Sequence, residues 1–357
     1  GAFCHRHSCV ALTPMPRKES LRGSRLIYLV AGEPSGDNLG GPIMRALNAL
    51  AAKNSVDLRF AGVGGERMME AGMKSLFPLS DITLFGVMEV IPHLVKVWRR
   101  LKMIEADVAR QKPDIIVTID SSSFSFALAR RLKKYHIPLI LDYRDSWLDY
   151  PFKFFPTPIH KYLHYRLERK VLRTADSIIV TTRRVKETIL NRHKFLTHKD
   201  INILTQGFDP ADVSLSNKEK LPTTKKMRFT YSGTFYENVT PEYFFRALAI
   251  VFKNRPALRE KIEACFIGAI NEEYQKMAKK YGVDGAVNFV GYLPHHECIN
   301  YLYASDVLWM VMNDDIRSPG KIYEYIAVGK KILGCVSKGV IRSTIEEANG
   351  ICTEIGR

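Results

Sequence analysis

The sequence predicts an α/β protein of two doubly wound domains, each a parallel sheet wrapped by helices, facing one another across a cleft. Three observations carry this expectation. Short β-branched or apolar runs alternate with longer segments of helical periodicity along the chain, the pattern of parallel βα units. At 357 residues the chain exceeds the size at which one hydrophobic core keeps growing, so two domains are expected. Residues 209–226 interrupt the alternation with Pro210, Pro222 and several serines, threonines and lysines, the composition of an interdomain linker.

Taken in order, residues 1–24 carry Arg6, Arg17, Lys18 and Arg22, several serines and no acid before Glu19. That composition fits the remnant of an organelle-targeting presequence, and equally an unstructured tail. The first domain, 25–208, is expected to hold strands at 25–31, 58–63, 115–120, 138–143, 177–181 and 201–205. Apolar periodicity places helices between them at 37–52, 89–110, 124–135, 158–174 and 184–192. After the linker, the second domain, 227–357, is expected to hold strands at 227–232, 264–268, 287–290, 307–312 and 331–336.

Composition narrows the class. The apolar fraction of 46% makes both domains globular, and no apolar run approaches the roughly 20 residues that cross a bilayer. Any membrane association is therefore peripheral. Lys and Arg number 53 against 37 Asp and Glu, a formal charge of +16 that attracts polyanions such as phospholipid head groups, lipid phosphates or nucleic acid. No zinc-knuckle spacing, aromatic RNA-binding string or helix-turn-helix pattern is present, so nucleic acid is the weaker partner. The six cysteines, Cys4, Cys9, Cys265, Cys298, Cys335 and Cys352, show no paired framework, as in an intracellular protein with reduced thiols. His160 with His164, His295 with His296, and Asp314 with Asp315 lack a convincing third ligand, so no metal site is expected.

The most informative stretch is Val30-Ala31-Gly32-Glu33-Pro34-Ser35-Gly36-Asp37-Asn38-Leu39-Gly40-Gly41. It reads as strand, glycine-rich turn, helix. Glycines allow close approach to the backbone, and the helix start aims unpaired N–H groups into the same cleft. Gly32, Glu33, Ser35, Gly36 and Asp37 are accordingly expected to form a loop beside a phosphorylated or sugar ligand. The alternative is that the glycines pack helix on sheet.

With Phe60-Ala61-Gly62-Val63-Gly64-Gly65-Glu66-Arg67-Met68, Phe85-Gly86-Val87-Met88-Glu89-Val90 and Pro113-Asp114-Ile115-Ile116-Val117-Thr118-Ile119-Asp120, this stretch resembles the N-terminal half of lipid-A-disaccharide synthase. The resemblance runs from about Arg25 to about Ile137. It implies a GT-B fold and transfer of a UDP-activated diacylglucosamine to an acylated glucosamine phosphate at a membrane. From about residue 138 the likeness changes. Leu141-Asp142-Tyr143-Arg144-Asp145-Ser146-Trp147, Gln206-Gly207-Phe208-Asp209, Tyr231-Ser232-Gly233-Thr234-Phe235, Phe289-Val290-Gly291-Tyr292 and Ser318-Pro319-Gly320-Lys321 through Glu324-Tyr325 are similar to the large retaining GT-B glycosyltransferase family. The chain reads as one family's acceptor half joined to another's donor half. GT-B enzymes usually add a terminal helix that crosses back to the first domain, and this one is expected to lack it.

Glycosyl transfer needs stabilisation of a departing diphosphate and, when it inverts, a base for the acceptor hydroxyl. Asp120 ends a predicted buried strand, and in the synthase motif its counterpart is thought to be that base; its structural alternative is to cap the next helix. The family's second aspartate, three positions later, is Ser123 here. Lys321 stands where a helix is about to start, so its ammonium and the helix dipole can act together on a diphosphate. Glu324 follows one turn later, and its counterpart holds the ribose of the nucleotide in the resembled family; a surface Lys–Glu pair is the alternative. The Gly233 turn would offer backbone amides to the same phosphates. Thr234 and Phe235 replace the Arg and Lys that many retaining relatives carry there, and Ile316 replaces the first of their paired glutamates. Arg144 and Asp145 either shape the acceptor side or form an internal ion pair.

Residues 84–104 combine apolar Val87, Val90, Ile91, Leu94, Val95, Trp98 and Leu101 with basic Lys96, Arg99, Arg100 and Lys102. Such a stripe lies on an anionic membrane or faces a core. The resemblance implies a nucleotide-sugar donor, an acylated acceptor and no cofactor; with the cysteine usage and the basic tail, the location expected is intracellular and peripheral to a membrane, with an organelle such as the mitochondrion open in a eukaryote. Two rivals remain: a retaining transferase with another sugar and acceptor, and a membrane-surface binding protein with weak catalysis.

Overall fold

The computed structural model describes residues 24–82, 87–119, 122–144, 147–149, 155–214, 221–235, 239–269, 271–313 and 318–354. Asp120, Asp145, Ile316, the pair Asp314 and Asp315, the tail 1–23 and the side chains of Ser123 and of 87–94 lie outside this set.

The first lobe runs β1 (Ser24–Ala31), α1 (Pro34–Lys53), β2 (Asp57–Val63), α2 (Glu66–Glu70), α3 (Val87–Gln111), β3 (Ile115–Ile119), α4 (Ser122–Leu132), β4 (Leu139–Asp142), α5 (Pro158–Leu172), β5 (Ser177–Val180), α6 (Arg183–Arg192) and β6 (Ile201–Ile203). A short helix α7 (Pro210–Ser214) follows, inside the stretch read as linker. The second lobe runs β7 (Met227–Ser232), α8 (Glu242–Asn254), β8 (Ile262–Ile267), α9 (Glu272–Lys280), β9 (Val287–Gly291), α10 (His295–Tyr303), β10 (Val307–Met312), α11 (Lys321–Val328), β11 (Lys331–Val336), α12 (Val340–Glu347) and β12 (Ile351–Thr353). Beyond β11, where the expected strands end, come α12 and a sixth strand of this sheet.

Among the described residues each lobe holds one six-stranded sheet, in the orders β2-β1-β3-β4-β5-β6 and β12-β11-β10-β7-β8-β9. Every strand pairing is parallel. Alternation of side chains explains why both faces are covered. In β1, Tyr28 and Val30 enter one core while Leu29 and Ala31 enter the opposite one. In β10, Trp309 and Val311 point to one side, and Leu308, Met310 and Met312 to the other. Each fully buried aliphatic side chain contributes about 1.5–3 kcal/mol, so neither face can be left to solvent.

Strand order reverses between β1 and β3 in the first sheet and between β7 and β10 in the second. Ligands of open parallel sheets sit beyond the carboxyl ends of strands at such switch points. In the second sheet, the pairing of β10 with β7 runs through Phe229 and Thr230, and among the described residues it does not extend to Ser232 at the carboxyl end of β7. The buried hydroxyl of Tyr325 fills the gap and accepts from the Ser232 amide at 2.9 Å. That contact seats α11 against the end of β7, beside Gly233.

Candidate active site

The glycine-rich stretch after β1 is helical sooner than its sequence implies. α1 begins at Pro34 with the proline in its first turn, where a missing N–H costs nothing and the fixed φ suits the helix. Ser35, Gly36 and Asp37 are therefore first-turn residues and not a loop. Gly32 continues the β1 ladder, donating to the Ile119 carbonyl at 3.2 Å, and Glu33 is the residue preceding α1.

Asp37 turns away from the expected ligand. Its buried carboxylate accepts from the amides of Gly65 at 2.7 Å, Arg67 at 3.0 Å and Met68 at 3.1 Å, so it satisfies the otherwise unpaired amides at the start of α2. Gly40 and Gly41 serve packing too. A Cβ at Gly41 would stand 2.8 Å from the Arg67 carbonyl oxygen, and one at Gly40 would meet the Met68 sulfur. This string thus clamps α1 to α2 and presents Arg67 toward the cleft.

The two lobes enclose a cavity of about 780 Å³. Its first wall includes Ser35, Asn38, Arg45, Arg67 and Arg144; its second includes Gly233, His295, Cys298, Lys321 and Glu324. Of the expected residues, Ser35, Gly233, Lys321 and Glu324 share this space. Gly32, Glu33, Gly36 and Asp37 do not line it.

Gly233 follows β7 with φ +123°, a conformation in which a side chain is strained. A Cβ there would lie 2.7 Å from Lys321 Nζ. Lys321 opens α11, stands over the Tyr231 ring at 4.2 Å and donates to the Tyr231 hydroxyl at 2.8 Å. The ring face attracts the ammonium by cation–π interaction. A cation, a helix start and a turn stripped of Cβ therefore meet at one point of the cleft.

Glu324 belongs to a chain of contacts that joins the lobes, and the simple Lys–Glu surface pair is not what forms. Its Oε1 lies 2.9 Å from His295 Nε2. The other ring nitrogen of His295 lies 3.0 Å from Arg67 Nη2 and 3.6 Å from Asp212 Oδ2. Arg67 also pairs with Asp212 at 2.9 Å, and Arg45 pairs with Asp209. The hydrogen bond that Glu324 accepts from the ring, with its carboxylate charge, raises the His295 pKa above its ordinary value. His295, Arg67 and Asp212 were not foreseen as site residues. Arg67 stood in a recognised string, and His295 opens the helix after β9, where a ligand-facing side chain belongs.

Arg144 is buried and pairs with Asp142 at 2.8 Å; the expected partner Asp145 lies outside the described residues. Cys298 lines the cavity, but burial pushes its thiol up to about 12, which rules out a standing thiolate. Among the described residues no three His, Cys, Asp or Glu cluster as metal ligands.

Two parallel, doubly wound lobes with a cleft at their switch points define the GT-B architecture. Solved structures of that fold cover nearly the whole chain. The sucrose-phosphate synthase of Thermosynechococcus elongatus superposes with TM-score 0.64 at 17% identity, covering 93% of this chain and 86% of that one. Anabaena HepE, solved in complex with UDP, superposes with TM-score 0.55 at 14% identity, covering 93% and 86%.

At the level of families the chain is composite. Residues 27–143 match the family model Lipid-A-disaccharide synthetase, and residues 214–356 match Glycosyl transferases group 1. The lipid-A-disaccharide synthase of Paramagnetospirillum magneticum is 43% identical over 114 residues, 32% of this chain and 28% of that protein. A probable mitochondrial lipid-A-disaccharide synthase of Arabidopsis thaliana is 40% identical over 116 residues, 32% of this chain and 25% of that protein. The matched region thus spans roughly a quarter of the relatives' length.

Proposed function

We propose that the chain is a glycosyltransferase that moves a sugar from a UDP-linked donor to an acylated sugar acceptor, in the manner of lipid-A-disaccharide synthase. The observation that carries this reading is the meeting of Gly233, Lys321 and the start of α11 in a cavity that both lobes line. The volume of about 780 Å³ lies within the range of small-ligand clefts. The family matches of the two halves supply its acceptor and donor sides, and HepE, of the same fold, binds UDP.

In this reading the Lys321 ammonium and the Gly233 turn neutralise the diphosphate as the anomeric bond breaks, with no metal needed. Glu324, oriented by His295, takes the ribose hydroxyls. The acceptor enters beside Ser35 and Asn38. Asp120 takes the proton of the acceptor hydroxyl, whose oxygen attacks the anomeric carbon as UDP leaves. Work on an acylated acceptor places the protein at a membrane surface, and the Arabidopsis relative supports a mitochondrial location in a eukaryote. No helix among the described residues is long and apolar enough to cross a membrane.

The test is product formation from UDP-diacylglucosamine and acylated glucosamine phosphate. The expected disaccharide has inverted anomeric configuration, and Asp120→Asn abolishes it. The match of 214–356 to Glycosyl transferases group 1 favours a second reading, a retaining transferase. A product of retained configuration, with Asp120→Asn fully active, would replace the first reading by the second.

A further inference from the structure

We infer that the outer face of α5 docks on a bilayer carrying anionic phospholipid head groups. This deepens the proposed membrane-surface location and rests on the acceptor being acylated. The face lies between the two family matches, 27–143 and 214–356, so neither family's matched segment accounts for it.

The first six residues of α5, from Pro158 to Leu163, are all exposed. Among them Ile159, Tyr162 and Leu163 are 69%, 57% and 55% exposed. They stand at i, i+3 and i+4, one side of a helix. The same ridge continues one and two turns on with Arg166, Lys170 and Arg173. Those three, with Arg169 and Lys133, border a surface hollow of about 520 Å³. Among the described residues no acidic side chain pairs with any of these five cations.

The sorting of charge along α5 is what selects a membrane. Its one acid, Glu168, is turned into the core, where it accepts from Tyr143 and meets His193 at 2.8 Å and Arg192 at 3.3 Å. The helix dipole accounts for cations in the last turn. It accounts neither for Arg166 nor for three large apolar side chains held in water at the other end. An apolar ridge of Ile159, Tyr162 and Leu163, flanked by Lys161 and running into a basic second half, suits a bilayer, where side chains enter the acyl boundary while cations meet phosphates. Nucleic acid or an acidic protein would be served by the charge and would leave Ile159 and Leu163 without a role.

α4 touches both α3 and α5, and Val95 and Trp98 of α3 are exposed, while Leu101 and Ile104 are core residues. The stripe at 84–104 is therefore divided, with part serving the core.

The experiment is co-sedimentation of the full chain with vesicles of phosphatidylcholine, alone or mixed with phosphatidylglycerol. Binding is expected to the mixed vesicles only and to weaken with salt. Replacing Arg166, Lys170 and Arg173 together by Glu is expected to lower it by about 10²-fold or more. Ile159→Ser with Leu163→Ser, which leaves the charge intact, is expected to lower it severalfold. Equal binding to neutral vesicles, or undiminished binding by either variant, would overturn the proposal, as would retention on RNA without vesicle binding. UDP titration separates the two readings: loss of docking in the variants with UDP binding kept leaves the transferase standing, and docking by a wild type that does not bind UDP removes the transferase.

Discussion

His295 stands between Glu324, 2.9 Å from its Nε2, and Arg67, 3.0 Å from its Nδ1, so one imidazole spans the cleft. Arg67 can only donate, so in this arrangement Nδ1 accepts and Nε2–H donates to Glu324. Protonation would turn Nδ1 into a donor, and Asp212 at 3.6 Å is the acceptor within reach. The lobes are thus tied by a group whose partner changes with pH.

The pH dependence follows from the raised His295 pKa, caused first by the Glu324 hydrogen bond and opposed by burial. A histidine raised above its ordinary 6.5 contributes stability that is full below that pH. The contribution is lost as pH rises through the raised value. The Tm difference between the wild type and His295→Gln should be greatest in mild acid and shrink as the pH rises. A difference independent of pH would show that the ring acts only by packing.

Arg67, Asp212 and His295 should behave as a unit. A double-mutant cycle of Arg67→Ala and Asp212→Ala is expected to give a coupling of about 0.5–3 kcal/mol by chemical denaturation. Additive losses would place the pair outside the interface.

Asp37→Ala removes the acceptor for three amides at the start of α2. It should cost about 1–2 kcal/mol of stability while leaving UDP affinity within about twofold. Gly41→Ala should behave alike, because its Cβ would press on the Arg67 carbonyl. A collapse of UDP binding with unchanged Tm would return these residues to the ligand.

Gly233→Ala should do the reverse. The φ of +123° makes the substitution strained, by about 1–3 kcal/mol, and its methyl displaces Lys321. UDP affinity measured by calorimetry should fall, and relieving the clash with Lys321→Ala in the same chain should cause little further loss.

The sheets were legible because parallel strands buried on both faces are continuous apolar runs. Strands β10 and β11 coincide with such runs at 307–312 and 331–336, whereas β7 at 227–232 alternates apolar with polar residues. The start of α1 was misplaced because Pro34 and Gly36 look like turn residues until the proline is placed at a helix's first turn. Lys321, Glu324 and Gly233 could be found because each lies at a strand end or helix start, positions marked by glycine and proline. The His295–Arg67–Asp212 contacts could not, since they join residues 228 apart in sequence through the closure of two lobes that no local pattern records. β12 is not marked in sequence because Ile351–Thr353 carries one apolar residue before Cys352 and Thr353 and forms no apolar run.

The most direct test is calorimetric titration of UDP into the wild type and Lys321→Ala. A donor site at Gly233 and Lys321 requires saturable, one-to-one binding that weakens about ten- to hundredfold when the ammonium is removed. Absence of UDP binding by the folded wild type, or equal affinity in the variant, would contradict it.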